Sequence, residues 1–346
     1  MNTPPTQPRF PWQTVVIAVL TAGLLWMFFR NIDLAEAWRA VTHAHLGLIA
    51  GAVGMTFVTY TLRAQRWLIL LRPLGPVRFR TAFRTTVIGF AMIFLLPGRV
   101  GEILRPYLVA RQEGLNPAST FATVIVERLL DVVTVVTLFA VALFLSGVDV
   151  GEQARIGGVV AAVGALGALV VLFFFARHPE RLGKLAGQLG RRLPAKLSTG
   201  LAGLVQTFAE GLVVLRSPVQ LVVAVCWSVA VWASIAIGIS LTSHAFDLAL
   251  TPVGSFIVVG YLAVGVSIPT PGGAGGFHYF YLVALRDFFG ADPTVAATAA
   301  IVLHAVSFVP VTILGLTFMW QDGLTLGRLK NMKAEAQAAE HPGAVR

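Results

Sequence analysis

Long apolar runs broken by short basic or Pro-Gly stretches set the pattern of this chain. "WQTVVIAVLTAGLLWMFF" (12–29) and "LVVAVCWSVAVWASIAIGISL" (221–241) are the clearest runs. Others fall at about 46–62, 118–146, 156–175 and 294–320. Runs near ~20 apolar residues match the length of a helix crossing a bilayer core. The alternating pattern of a membrane β-barrel is absent. The pattern predicts an all-α polytopic membrane protein with about six full transmembrane helices.

Two segments depart from this rhythm. One is "RTTVIGFAMIFLLPGRVGEILRPYLVAR" (84–111); the other is 252–289, which contains "PTPGGAGG" at 269–276. Each has an apolar half, a Pro-Gly break and a second half. As straight spans they would set helix-breaking backbone against lipid, which is tolerated only inside protein or beside a polar cavity. They are therefore predicted to be two re-entrant helical hairpins of opposite orientation. Their breaks hold Pro97, Gly98 and Gly101 in the first, and Pro269, Pro271, Gly272, Gly273 and Gly275 in the second. Residues 97–101 and 271–275 share the pattern P-G-x-x-G. Broken segments at matching places in two halves suggest an inverted repeat with a binding site at its centre. Two uses of the glycines remain open at this point: close approach to a ligand, or tight helix packing.

Composition agrees. The chain is 56% hydrophobic and 12% charged, about half the usual charged share of soluble domains. Its net charge is +10. The bases cluster between apolar runs, where cytoplasmic loops carry them. Arg63, Arg66, Arg72, Arg78, Arg80 and Arg84 follow the second run and are read as one such loop. Both termini are then cytoplasmic. No basic stretch has the aromatic interleaving or motif of nucleic-acid binding, so no nucleic acid is expected. Residues 1–320 are read as one integral membrane domain. A basic amphipathic linker occupies about 177–216, and 321–346 form a cytoplasmic tail expected to be disordered. The single cysteine, Cys226, is read as a small core residue. Trp12, Trp26, Trp67 and Trp320 are read as interfacial anchors.

Several ionisable residues fall inside or beside the spans, where they are rare and usually paired or functional. They are Arg99, Glu102 and Arg105 around the first break, and Glu127, Arg128 and Asp131 in "ERLLD". Glu127 and Asp131 share a helix face, so a basic partner such as Arg99 or Arg105, or a bound cation or proton, is expected. Structural pairing and function are both compatible with this pattern. Helix starts at the two breaks, together with Arg99 and Arg105, would suit a phosphate. His278 follows the second break directly; a core role and a ligand role are equally open. No nucleotide-binding, metalloprotease or hydrolase motif is present. The expectation is therefore a non-enzyme with no cofactor and no metal.

The segments "RAQRWLILL", "LLPGRVGEILRPYLVARQEG", "ATVIVERLLD" and "PTPGGAGGFH" together resemble the lysylphosphatidylglycerol synthase transmembrane-region family (flippase-like, UPF0104), over about 12–320. The resemblance implies an inner-membrane protein of bacteria that translocates lipids, with membrane lipids as partners and a lipid-modifying synthase as a further candidate partner. It carries over Arg63, Arg66, Pro97, Gly98, Gly101, Glu102, Arg105, Glu127, Arg128, Asp131, Pro271, Gly272, Gly273 and Gly275. One departure is plain: the family's late motif commonly ends in Glu where this chain has His278. The function expected is movement of an anionic or polar lipid between leaflets through a cleft between the hairpins. The alternatives are an accessory subunit presenting lipid to a synthase, and a membrane-embedded glycosyl- or acyl-transferase.

Overall fold

A computed structural model describes residues 33–96, 99–146, 217–268 and 270–324, with scattered helical positions within 19–27 and 156–181. The described residues contain helices α1 (Leu34–His43), α2 (Leu46–Leu71), α3 (Phe79–Leu95), α4 (Val100–Glu113), α5 (Pro117–Leu145), α6 (Pro218–Ala245), α7 (Pro252–Ser267), α8 (Gly276–Phe289) and α9 (Pro293–Gln321). No strand occurs among them. The helices α2, α5, α6 and α9 are long and apolar enough to cross a membrane, and α7 is a shorter apolar helix. The predicted spans at 12–29 and 156–175, the linker at 177–216 and the tail lie wholly or largely outside the described residues.

The helix starts follow from local chemistry. Asn116, Ser217, Thr251 and Asp292 each cap a helix with a side-chain oxygen that accepts backbone N–H groups. Each is followed by proline at the first helical position, where no N–H is needed. The short amphipathic helix α1, which the apolar pattern passed over, also starts on a side-chain cap. Asp33 accepts from Ala35 and Glu36, and these backbone bonds, Glu36 first, hold its carboxyl below the usual range.

Both interrupted segments are helix–break–helix, as expected. In each, the second helix folds back along the first. A Cβ on Gly101 would overlap the Gly89 carbonyl, and a Cβ on Gly276 would overlap the Gly265 carbonyl. Two backbones thus touch in each pair, which only glycine permits. This settles the open question for Gly101 in favour of packing: its open face is filled by Gly89 rather than turned to a ligand.

The repeat is clearer in the helices than in the P-G-x-x-G motif. Helices α4 and α8 are each 14 residues long and end on a left-handed glycine, Gly114 or Gly290. Two residues later Asn116 or Asp292 caps a 29-residue helix. In this register Glu102 matches His278, each third in its helix, and Arg128 matches His304. The motif match is offset from this register because the second break holds an extra 3-10 turn, Pro271–Gly273. That turn and the cap of α8 need positive φ at Gly272 (62°), Gly273 (69°) and Gly275 (84°). The first break makes the same kind of turn with Arg99, at φ 51°. Pro97, Gly98 and Pro269 lie outside the described residues.

The two breaks meet. Arg99 donates from Nη2 to the Val266 carbonyl at 3.0 Å, at the end of α7. His304 on α9 donates from Nε2 to the Gly272 carbonyl at 2.8 Å, bracing the second break. Phe94 and Phe308 close the space between with ring centroids 4.2 Å apart.

Candidate functional site

Arg63 and Arg66 are not in a loop. Helix α2 continues past its predicted end to Leu71 and carries both into the interior. The reason is visible in "RAQRWLILL": Trp67, Leu70 and Leu71 continue the apolar face and are fully buried. Trp67 is accordingly no interfacial anchor. Its indole N–H donates to Thr123, and the Arg105 guanidinium lies 3.7 Å over its ring. Cys226 also departs from its expected place and is exposed.

Inside, guanidiniums of Arg63, Arg66, Arg105 and Arg128 converge on Glu127 and Asp131. Arg66 donates to Asp131 at 2.6 Å and reaches Glu127 at 3.1 Å. Arg105 donates from one nitrogen to both Glu127 oxygens at 3.0 Å. Arg63 and Arg128 each lie 3.5 Å from Asp131. Trp232 donates its indole N–H to Asp131, and Ser228 accepts from Arg66. The predicted basic partner of the carboxylate pair is thus Arg66 with Arg105. Arg99 does not reach the pair; it lies 3.5 Å from Glu102 instead.

The balance of this cluster is uneven. Four guanidiniums face two carboxylates, so two positive charges are in excess. Burying ions is costly even when they are paired. The cost is tolerable where a further anion, or water in a cavity, completes the shell. A cavity of about 510 Å³ lies against the cluster. Arg63, Arg99, Glu102, Arg128 and Asp131 form its polar end. Ala52, Met55, Val135, Ile239, Leu262 and Leu303 form its mainly apolar end, with the hydroxyls of Thr56, Thr59 and Ser234 between it and the charges. Arg66, Arg105 and Glu127 stand behind the wall. Arg105, expected to hold a ligand, therefore serves Glu127 and Trp67. Arg63 is 8% exposed, and its Nη1 faces Asp131 Oδ2 at 3.5 Å, an ion pair without a hydrogen bond. Its guanidinium is flanked by the Phe90 and Trp232 rings.

His278 is buried and does not line the cavity. Its Nδ1 accepts the Gly275 N–H at 3.3 Å. This is the reach-back of the third helical residue to the cap in a capping box, a place usually filled by Glu or Gln. His278 thus fills the capping-box place that Glu or Gln usually takes. Its ring packs on His304, with centroids 4.7 Å apart.

Fold and site together define a polytopic helical membrane protein with an arginine-walled internal cavity. The chain belongs to the lysylphosphatidylglycerol synthase TM region family, which matches residues 13–315. It is 24% identical to a UPF0104 membrane protein of Methanothermobacter thermautotrophicus, over 87% of this chain and 92% of that protein. It is also 24% identical to the glycosyltransferase AglD of Haloferax volcanii, over 97% of this chain and 59% of that protein. The chain spans about three-fifths of the length of that relative. The expectation of a non-enzyme is corrected by this match: nearly the whole chain is similar to part of a protein named as a glycosyltransferase.

Proposed function

We propose that this chain binds the phosphate of an anionic lipid on Arg63 and Arg128 and passes the headgroup between leaflets. The observation that carries this reading is Arg63, buried on the cavity wall inside a cluster with excess positive charge. Arginine is suited to phosphate by its planar donor fork. Arg66 and Arg105 hold Glu127 and Asp131, which in turn position Arg63 and Arg128. The broken pairs α3–α4 and α7–α8 act as oppositely oriented re-entrant hairpins. Arg99, Glu102 and the Gly272–Gly275 turn lie where they meet. The bacterial inner membrane, with both termini cytoplasmic, is the location this reading takes from the charge pattern.

A second reading draws on the relative named as a glycosyltransferase. In it, the same cavity holds the phosphate of a lipid-linked sugar while the sugar is transferred. One experiment separates the two. Purified protein in liposomes should accelerate leaflet exchange of labelled phosphatidylglycerol, and Arg63→Gln should slow it about tenfold, near 1.4 kcal/mol of lost interaction. No exchange of any anionic lipid, with or without a proton gradient, would remove the transport reading. Turnover of a lipid-linked sugar donor by the same preparation would establish the second.

A further inference from the structure

We infer that the lipid this cavity is built for carries a doubly charged head, a terminal phosphomonoester, and that the start of its chain lies in the cavity's apolar end. The inference rests on the proposed reading of the cavity as a lipid-phosphate site and narrows it to one class of head.

Charge selects the head. Among the described residues, Arg63, Arg66, Arg105 and Arg128 are opposed within the cluster by Glu127 and Asp131. Arg99 and Glu102, also at the polar end, offset each other. The excess is two. A phosphodiester such as phosphatidylglycerol supplies one negative charge; a phosphomonoester supplies close to two above its second pKa near ~6. Arg63 on the wall is buried and the Arg128 side chain is 35% exposed; where the wall is desolvated an uncompensated charge is expensive, so the dianion is the better-matched guest. Arg63 and Arg128 both line the cavity, and a terminal phosphate offers three oxygens to their guanidinium forks.

Shape selects the chain. Along α2 the cavity runs from Arg63 to Ala52, about 16 Å at the rise of an α-helix. Along α5 it passes from Arg128 and Asp131 to Val132 and Val135. Helices α2 and α5 run antiparallel here, since Trp67 meets Thr123 while Arg63 meets Asp131. Both therefore lead from charge to hydrocarbon in the same direction. Free phosphate uses only the first end of such a cavity; a lipid phosphomonoester uses both.

The test is calorimetric titration of the full chain in detergent at about pH 8, above the second phosphate pKa. The probes are dioctanoyl phosphatidic acid, dioctanoyl phosphatidylglycerol and inorganic phosphate. Phosphatidic acid should bind at least about tenfold more tightly than either of the others. Arg128→Gln lowers the excess by one and should shrink the preference over phosphatidylglycerol to less than about threefold. Glu102→Gln, at a half-buried position, raises the excess and should tighten phosphatidic acid. Equal binding of the two lipids, both lost in Arg63→Gln, overturns the dianion inference and leaves the anionic-lipid reading standing. Inorganic phosphate matching phosphatidic acid overturns the role of the apolar end. Binding of none of the three overturns both the inference and the reading beneath it.

Discussion

Arg66 and Asp131, 65 residues apart in sequence, meet at 2.6 Å with the Arg66 side chain wholly sealed from solvent. Asp131 is also the carboxylate nearest Arg63 and Arg128. Removing its charge leaves the four arginines of the cluster facing Glu127 alone among the described carboxylates. Breaking a buried pair from one side costs about 3–5 kcal/mol. Asp131→Asn should therefore lower thermal stability in detergent far more than Arg63→Gln, which removes one of the excess charges. Equal losses in a melting experiment would contradict this charge balance.

The glycine contacts give a test of the folded-back pairs. Gly101→Ala sets a methyl into the Gly89 carbonyl and should destabilise by about 1–3 kcal/mol through overpacking. Gly54→Ala, in the middle of α2 with nothing within 4 Å of the added carbon, should stabilise by roughly 0.5–1 kcal/mol. Thermal unfolding of the two variants checks both signs.

Arg99 occupies a left-handed conformation that costs a residue with a side chain about 1–2 kcal/mol. Arg99→Gly loses the bond to the Val266 carbonyl and relieves that strain. Arg99→Ala loses the bond and keeps the strain. Denaturant titration should rank Arg99→Gly above Arg99→Ala by about 1 kcal/mol. The reverse order would show that the backbone turn is not what that position requires.

His278 as a cap predicts a simple pair. Gln at the third helical position can still receive the Gly275 N–H, whereas Leu cannot. His278→Gln should retain anionic-lipid binding and stability. His278→Leu should lose about 1 kcal/mol of stability. Lipid binding abolished in a well-folded His278→Gln protein would return the histidine to the ligand site.

The architecture was legible where it rests on local signals. The long helices α5, α6 and α9 and both breaks were readable from apolar length and from Pro-Gly interruptions. The paired starts Asn116-Pro117, Ser217-Pro218, Thr251-Pro252 and Asp292-Pro293 were equally readable as caps, and would have fixed the repeat register more sharply than P-G-x-x-G. The site was less legible because its partners are distant in sequence. Arg63 and Arg66 read as a loop in the sequence because arginine after an apolar run ordinarily marks the cytoplasmic side. The apolar residues at helical spacing beyond them were the signal to continue the helix. Nothing local reveals that Arg105 turns toward Glu127 and Trp67 while Arg63 faces the cavity. That division depends on how α2, α4 and α5 pack.

The functional reading stands or falls with Arg63 as the holder of a lipid phosphate in the cavity. Native mass spectrometry of the protein purified with its own lipids, wild type beside Arg63→Gln, probes that contact without a choice of added ligand. One anionic, phosphate-bearing lipid should be retained per chain by the wild type and lost from the variant. Retention of only neutral or zwitterionic lipid, or equal retention of the anionic lipid by a folded Arg63→Gln protein, would contradict it.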